Sequence, residues 1–398
     1  MNYLLQKYIK DIHDHLYANS NLKTPEVISL EVCKILHTGI FIEIKSKVIP
    51  AFKKIDTFSN IDGGLFSFTE EKNEQVKWIK KMFTSMNNQW KLYVDEEINL
   101  SESDILFVAN KLKSIIFSEK DKDIVGDAIE IFRSYYTKSL GGQFFTDQNV
   151  TNLAMELLEF NPLNGDVLAD LCAGTGGFLL AGINHTHNLL AKQNIIEEDQ
   201  LAKLTLKSII GFEIDHTVAT VANSSIQSRI GKRSEYVKVK DTLKSGTGKK
   251  YACLATNPPF GTKITIKDTN VLSKYTISQR KKSGKIIQAP TPPDILFIEQ
   301  NINHLDDETG RLAIVLPYQI LSGPKALPIR NWILDRCIIT AIIDLPIETF
   351  QPHTGTKTSL VVLKKRNKSN INYNVFMSIP KWIGHDRRGL PVFKRNED

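Results

Sequence analysis

Two rhythms of apolar residues divide the chain near residue 140. Before it, apolar side chains recur every three to four positions, in Ile9-Ile12-Leu16, in Val27-Leu30-Val32-Leu36 and through Ile105-Val108-Leu112-Ile115-Ile116. That spacing lines one face of an α-helix. The polar run Asn99–Asp104 offers N-cap residues ahead of the third stretch. The pattern predicts an all-helical domain over residues 1–140, with a loop around Gly63-Gly64 and Glu70-Glu71-Lys72. From Gly141 onward the rhythm changes to short, continuous runs rich in Val, Ile and Leu: Val167–Leu171, Ser208–Glu213, Tyr236–Val239, Tyr251–Thr256, Leu312–Leu316, Ile338–Asp344 and Ser359–Leu363. Runs of this kind are strands covered on both faces. Helical stretches such as Val150–Phe160, Thr217–Arg229 and Pro293–Leu305 separate several of them. Alternation of this sort predicts a doubly wound, mostly parallel α/β sheet of seven strands over residues 141–370, followed by a C-terminal extension over 371–398.

Composition narrows the classes without choosing among them. The apolar and charged fractions, 41% and 24%, are those of an ordinary globular chain of 398 residues, long enough for two domains. No apolar run reaches the ~18 residues of a membrane span, and the first residues lack the order of a signal peptide, so no membrane partner is expected. Cys33, Cys172, Cys253 and Cys337 lie far apart with no C-x-x-C pair. That spacing excludes a disulfide framework, suits a reducing cytoplasm and, with scattered histidines, predicts no metal site. A net charge of +7 is compatible with a polyanionic partner and decides nothing alone.

Ligands of doubly wound sheets sit beyond the carboxyl ends of the strands, so the residues that follow each strand carry the chemistry. The first strand runs into Asp170-Leu-Cys172-Ala173-Gly174-Thr175-Gly176-Gly177-Phe178, a carboxylate and a glycine turn over which a ligand can lie close to the backbone. The spacing is not G-x-G-x-x-G, and a purely structural tight turn is the alternative. The second strand ends at Glu213-Ile214-Asp215, where Glu213 can accept from ribose hydroxyls and Asp215 can equally cap the next helix. The third ends at Asp241-Thr242-Leu243; Asp241 either accepts from an adenine amino group or serves as an N-cap. The most specific signal follows the fourth strand, Asn257-Pro258-Pro259-Phe260. Two prolines in succession fix an extended backbone and remove two donors. The Asn257 amide oxygen and the Pro258 carbonyl can then both accept from one amino group, and Phe260 offers a flat face for a planar base. The bland reading of the same residues is a Pro-Pro turn with a buried Phe. Beyond Phe260 a basic stretch (Lys263, Lys267, Lys274, Arg280, Lys281, Lys282, Lys285, with Tyr275) is either a DNA-contacting segment or a solvated loop. Glu43-Ile-Lys45 matches a nuclease fragment but lies in a helical pattern, and Gly246-Thr-Gly-Lys249-Lys250 is half a P-loop, read as a turn.

At these residues the chain resembles the amino-methylating DNA methyltransferases, and among them the modification subunits of type I restriction–modification systems. The likeness covers roughly residues 120–398, over two-thirds of the chain: Ile124–Phe132, Gln143-Phe144-Phe145-Thr146, Asp170–Phe178, Glu213, Asp241, Asn257–Phe260, Asp294–Phe297, Gly310–Pro317, Ile343–Pro346 and Lys381–Gly389. Asp147 and Cys172 stand where that family commonly has Pro. The resemblance implies a class I methyltransferase fold and transfer of a methyl group from S-adenosylmethionine to adenine N6 in double-stranded DNA. It places the cofactor's adenosine at Glu213, Ile214 and Asp241–Leu243, its methionine part at Gln143–Thr146, Asp170 and Gly174, and the reacting base at Asn257, Pro258, Pro259 and Phe260. It further implies a DNA specificity subunit, and a restriction nuclease subunit, as partners. A methyltransferase for a protein glutamine amide or an RNA base, and a non-catalytic DNA-binding scaffold, are the competing expectations.

Overall fold

A computed structural model describes residues 3–22, 25–48, 72–90, 93, 97–113, 146–193, 198–230, 235–260, 265–351, 354–366, 372–388 and 392. The chain divides into two compact units, Met1–Lys138 with Thr220–Ser234, and Ser139–Ala219 with Glu235–Asp398.

The first unit contains α1 (Tyr3–Asn19), α2 (Pro25–Val48), α3 (Lys72–Trp90) and α4 (Glu102–Leu112). Ile9, Ile12 and Leu16 of α1 and Ile105, Val108 and Leu112 of α4 are buried as their spacing predicts, and the Ser101 hydroxyl caps α4 by accepting from Asp104 N at 3.2 Å. The buried stripe of α2 departs from the expected one: Ile28, Val32, Ile35 and Leu36 are inside, whereas Val27 is exposed. Helix α3 was not anticipated, although Val76, Ile79, Phe83, Met86 and Trp90 are all buried along one stripe. Dense Lys, Asn and Gln between them hide the apolar period. Ile115, Ile116 and the residues Gly63, Gly64, Glu70 and Glu71 of the expected loop lie outside the described residues, whereas Lys72, expected in that loop, opens α3.

This unit also buries a charge pair that no helical period reveals. Lys34 Nζ donates to Glu31 Oε1 at 2.6 Å and to the Glu97 carbonyl at 2.7 Å, and Glu31 Oε2 accepts from Asn99 N at 2.6 Å. The two side chains are 0% and 1% exposed, and Phe83 and Tyr93 flank the ammonium at 5.7 and 5.9 Å. Burial of ions is tolerated only with this degree of pairing.

In the second unit an eight-stranded sheet has the order β10-β8-β9-β7-β4-β1-β2-β3. The strands are β1 (Leu168–Asp170), β2 (Ile209–Glu213), β3 (Val237–Val239), β4 (Cys253–Thr256), β7 (Arg311–Pro317), β8 (Cys337–Asp344), β9 (Thr358–Lys365) and β10 (Phe376–Ser378). All neighbours are parallel except β9, which runs antiparallel between β7 and β8. The expected seven strands are present; the eighth is Phe376–Ser378, from the stretch read as an extension. Three residues carry too short a pattern to be read as a strand. The helices of this unit are α5 (Gln148–Leu157), α6 (Gly177–Lys192), α7 (Glu198–Ser208), the start of α8 (His216–Ile230), α9 (Thr242–Ser245), α10 (Thr269–Leu272), α11 (Pro293–Asn303), α12 (Tyr318–Ser322) and α13 (Leu327–Leu334). Leu254, Leu296, Ile298, Leu312, Ile314 and Leu363 join one core across strands and α11. Leu312–Leu316 is buried at every position, as a strand covered on both faces must be. A separate hairpin pairs β5 (Gln279–Lys282) with β6 (Lys285–Gln288). No helix among the described residues is long and apolar enough to cross a membrane.

Candidate active site

Strand order sets the location. The chain passes from β1 outward to β2 and β3, then returns to β4 on the other side of β1, so the crevice of the sheet lies at the carboxyl ends of β1 and β4. The glycine turn leaves one of these ends and Asn257-Pro258-Pro259-Phe260 leaves the other.

A buried hydrogen-bond chain ties the two together. Thr256 Oγ1 donates to Asp170 Oδ1 at 2.7 Å, Cys172 N donates to the same oxygen at 3.1 Å, and Cys172 Sγ lies 2.9 Å from Thr256 Oγ1. A hydroxyl has one hydrogen; with that hydrogen on Asp170, the thiol must donate to Thr256. Burial pushes the Cys172 thiol well up, which keeps that hydrogen in place. Burial likewise raises the Asp170 carboxyl to about 7, against the pull of the Thr256 and Cys172 hydrogen bonds. Thr256 was missed in the sequence; a lone hydroxyl at the last position of an apolar strand was the available signal.

The glycine turn is built for close approach. Gly174 and Gly176 hold φ of +55° and +88°, where a side chain is strained. A Cβ at Gly174 would meet nothing within 4 Å, so the turn borders open space. Behind it, a Cβ on Gly211 of β2 would lie 2.7 Å from Leu179, 3.0 Å from Ala173 and 3.0 Å from Val237. Ala173 and Thr175 are buried, and Phe178 is 2% exposed within the packed face of α6. Phe178, the last residue of the glycine stretch, packs with the buried apolar stripe of α6.

Glu213 is buried and holds the turn from within. Its Oε2 accepts from Gly174 N at 2.9 Å, and its Oε1 accepts from Ile214 N at 2.9 Å and Asp215 N at 3.0 Å. Ile214, next to it, is 59% exposed, a large apolar side chain left at a strand end. Asp215 accepts from Val218 N at 3.0 Å, the capping alternative. Asp241 likewise caps α9, accepting from Leu243 N at 3.1 Å and Lys244 N at 3.3 Å. Thr242 donates to the Leu171 carbonyl at 2.8 Å. The loop is clamped from the far side by residues the sequence did not single out: Gln300 Nε2 donates to the Thr242 carbonyl and Tyr275 Oη to the Leu243 carbonyl. Tyr275, expected within a DNA-contacting or solvated stretch, is core.

At the elbow, Asn257 and Pro259 are half-buried and Pro258 is buried. Phe260 departs from expectation: it is 1% exposed, and the Phe350 ring meets it at 5.6 Å and 86°. An aromatic side chain at a strand end buries against the nearest apolar neighbour, here carried by the 3-10 turn Ile347–Phe350. The flat face expected for a base is thus covered. The closing segment lies close by: Asn149 Nδ2 donates to the Ile383 carbonyl at 2.9 Å, His385 is 3.7 Å from Asp147, and Glu348 shares a cleft of about 520 Å3 with Lys381, Trp382 and Arg387. Thr146 precedes Asp147, the N-cap of α5, whereas Gln143, Phe144 and Phe145 lie outside the described residues.

Comparison with known proteins agrees with this architecture. The chain is 27% identical over 264 residues to the EcoEI methylase subunit of a type I restriction enzyme from Escherichia coli, covering 65% of this chain and 50% of that protein. It is 26% identical over 284 residues to the EcoKI methylase subunit from Escherichia coli K12, covering 69% and 50%. The chain thus spans about half the length of the curated relatives it matches. Among solved structures, the type I restriction–modification methyltransferase subunit from Streptococcus thermophilus superposes with a TM-score of 0.61 at 16% identity, over 98% of this chain and 90% of that one. A Listeria monocytogenes protein described provisionally as a class I S-adenosylmethionine-dependent methyltransferase gives 0.55 at 15% identity, over 90% and 94%. The family model for N-6 DNA methylases matches residues 120–383, from before the glycine turn to beyond the elbow. Since that match takes in well over half of the sequence, the chain belongs to the N-6 DNA methylase family.

Proposed function

We propose that this chain transfers a methyl group from S-adenosylmethionine to the N6 of adenine in double-stranded DNA, as the modification subunit of a type I restriction–modification system. The observation that carries the reading is the hydrogen bond between Thr256 and Asp170, which joins the Asn257-Pro258-Pro259-Phe260 elbow to the glycine turn at the crevice of the sheet. Its partners are then DNA, a DNA specificity subunit and a restriction nuclease subunit, and its compartment the cytoplasm.

The residues present fit the cofactor. Open space at Gly174, two carboxylates at adjacent strand ends and an exposed Ile214 suit a ligand that presents an ammonium, ribose hydroxyls and a flat ring. Thr146, Asp170, Cys172, Ala173, Gly174, Thr175, Gly176 and Gly177 would hold its methionine side, with Gln143–Phe145, and Glu213, Ile214, Asp241, Thr242 and Leu243 its adenosine side. When bound, S-adenosylmethionine supplies an electrophilic methyl group.

The chain's own part is positioning. A target adenine has to leave the duplex, because its N6 is paired and its ring stacked; the cost is a few kcal/mol. Asn257 Oδ1 and the Pro258 carbonyl accept the two N6 hydrogens, draw the nitrogen out of conjugation and stabilise the positive charge that grows on it. Pro259 keeps the backbone from relaxing away. Stacking on Phe260 requires Phe350 to give way, so the base replaces one aromatic contact with another.

Labelled methyl transfer to plasmid DNA, with N6-methyladenine read by single-molecule sequencing, tests the reading. Asn257→Ala lowers turnover by about 10²–10³ while calorimetry finds cofactor affinity unchanged. Near wild-type transfer by that variant, or transfer to protein in place of DNA, would overturn it.

A further inference from the structure

The β5–β6 hairpin is not explained by its own stability. Ser283 and Gly284 both hold positive φ, 49° and 78°, which gives the two-residue turn that matches strand twist. Beyond its root, Arg280, Lys281 and residues 283–287 are exposed, with Ile286 at 71%. A two-stranded hairpin with no covered face is marginal in water. From Gln279 to Gln288 there is no acidic residue.

The root, by contrast, is rigid. Glu299 accepts from Ile277 N at 2.7 Å and Thr276 N at 3.1 Å, and Ser278, fully buried, donates to the Tyr275 carbonyl at 2.9 Å. Ala289 N donates to the Ser278 carbonyl at 3.0 Å, and Ile266 and Thr291 bridge below. Through Tyr275 Oη, 2.8 Å from the Leu243 carbonyl, the root grips the loop at the end of β3. The hairpin is therefore anchored on the same carboxyl-end side of the sheet as the glycine turn and the elbow.

We propose that this hairpin is a duplex-DNA-binding ribbon: Arg280, Lys281 and Lys285 contact phosphates, and the exposed Ile286 reaches into the groove. A two-stranded ribbon fits a major groove ~12 Å wide, and isoleucine can meet a thymine methyl there. Cations on a rigidly rooted ribbon set the register of the duplex so that one nucleotide faces the elbow. The inference deepens the reading given under Proposed function and rests on it.

The test is fluorescence anisotropy of the full chain with a labelled mixed-sequence duplex, titrated across salt concentrations. Arg280→Gln/Lys281→Gln/Lys285→Gln is compared with the charge-matched Lys192→Gln/Lys203→Gln/Lys207→Gln, whose lysines lie on α6 and α7. Thermal melts of both variants confirm an intact fold. The hairpin variant reduces the slope of log affinity against log salt by about 2–3, at roughly 0.9 per lost phosphate contact, and the control variant leaves it within experimental error. Equal slopes for the two variants, no duplex binding by the unmodified chain, or displacement by poly-glutamate as readily as by DNA would each overturn the proposal. The transfer assay with the unmodified chain separates this from the parent reading: N6-methyladenine formed with equal slopes sinks the ribbon alone, and methyl transfer to protein sinks the parent.

Discussion

Asp170 decides how the site responds to pH. Its carboxyl titrates near 7 in the folded chain, above the ordinary carboxylate range, because burial disfavours the charge. Between the unfolded value and about 7 the folded state holds one more proton than the unfolded chain, so the contribution of Asp170 to stability falls as pH rises through that window. A cationic ligand group needs the ionised form. Cofactor affinity measured by calorimetry therefore rises as pH increases through about 7, with about one proton released per ligand bound at the acid end. Thr256→Val removes the hydrogen bond that favours the ion and moves this midpoint up by about 1–2 pH units, whereas Thr256→Ser keeps it. An unmoved midpoint in the valine variant would show that Thr256 only fills space. Of this arrangement, Asp170 was legible from its place at a strand end. Thr256 was not, because its role depends on β1 and β4, 86 residues apart in sequence, lying side by side.

Elements succeed here by close approach. Strand β2 reaches the glycine turn only because Gly211 has no side chain; a methyl group there would press on Leu179, Ala173 and Val237 together. Three neighbours cannot all yield, so Gly211→Ala costs about 1–3 kcal/mol in denaturant unfolding. It also weakens cofactor binding through Ala173. A variant that unfolds at the wild-type midpoint would mean that the turn moves freely. The central strands were readable because both their faces are apolar, and the helices α1 and α4 because one face is; β3, at the sheet edge, exposes Lys238 and Val239. Helix α3 has the same apolar spacing, yet its many polar residues masked it, and β10 is too short to carry a period at all. The basic stretch after Phe260 read as a loop, since alternation in Gln279–Gln288 is replaced by charge; only the Ser283-Gly284 turn makes it a hairpin.

For the molecule as two units, the buried Lys34–Glu31 pair is a vulnerable point of the helical unit. Lys34→Met leaves the Glu31 carboxylate without its counter-ion inside the core, and loss of about 3–5 kcal/mol follows. Every residue assigned to the cofactor lies in the other unit, so cofactor affinity below the unfolding transition stays at the wild-type level. A small loss of stability would show that water reaches Glu31. Periodicity was enough to specify a doubly wound sheet, and the motifs that follow its strands carried the resemblance to the family. Those are local properties: each is set by which residues alternate, or by which follow a strand. Tertiary structure alone decided the rest. It set Phe350 at right angles against Phe260, turned the Glu213 carboxylate in to hold the turn, and brought Thr256 to Asp170. Pairings of this kind join residues tens of positions apart, and no spacing along a chain encodes a distance through space.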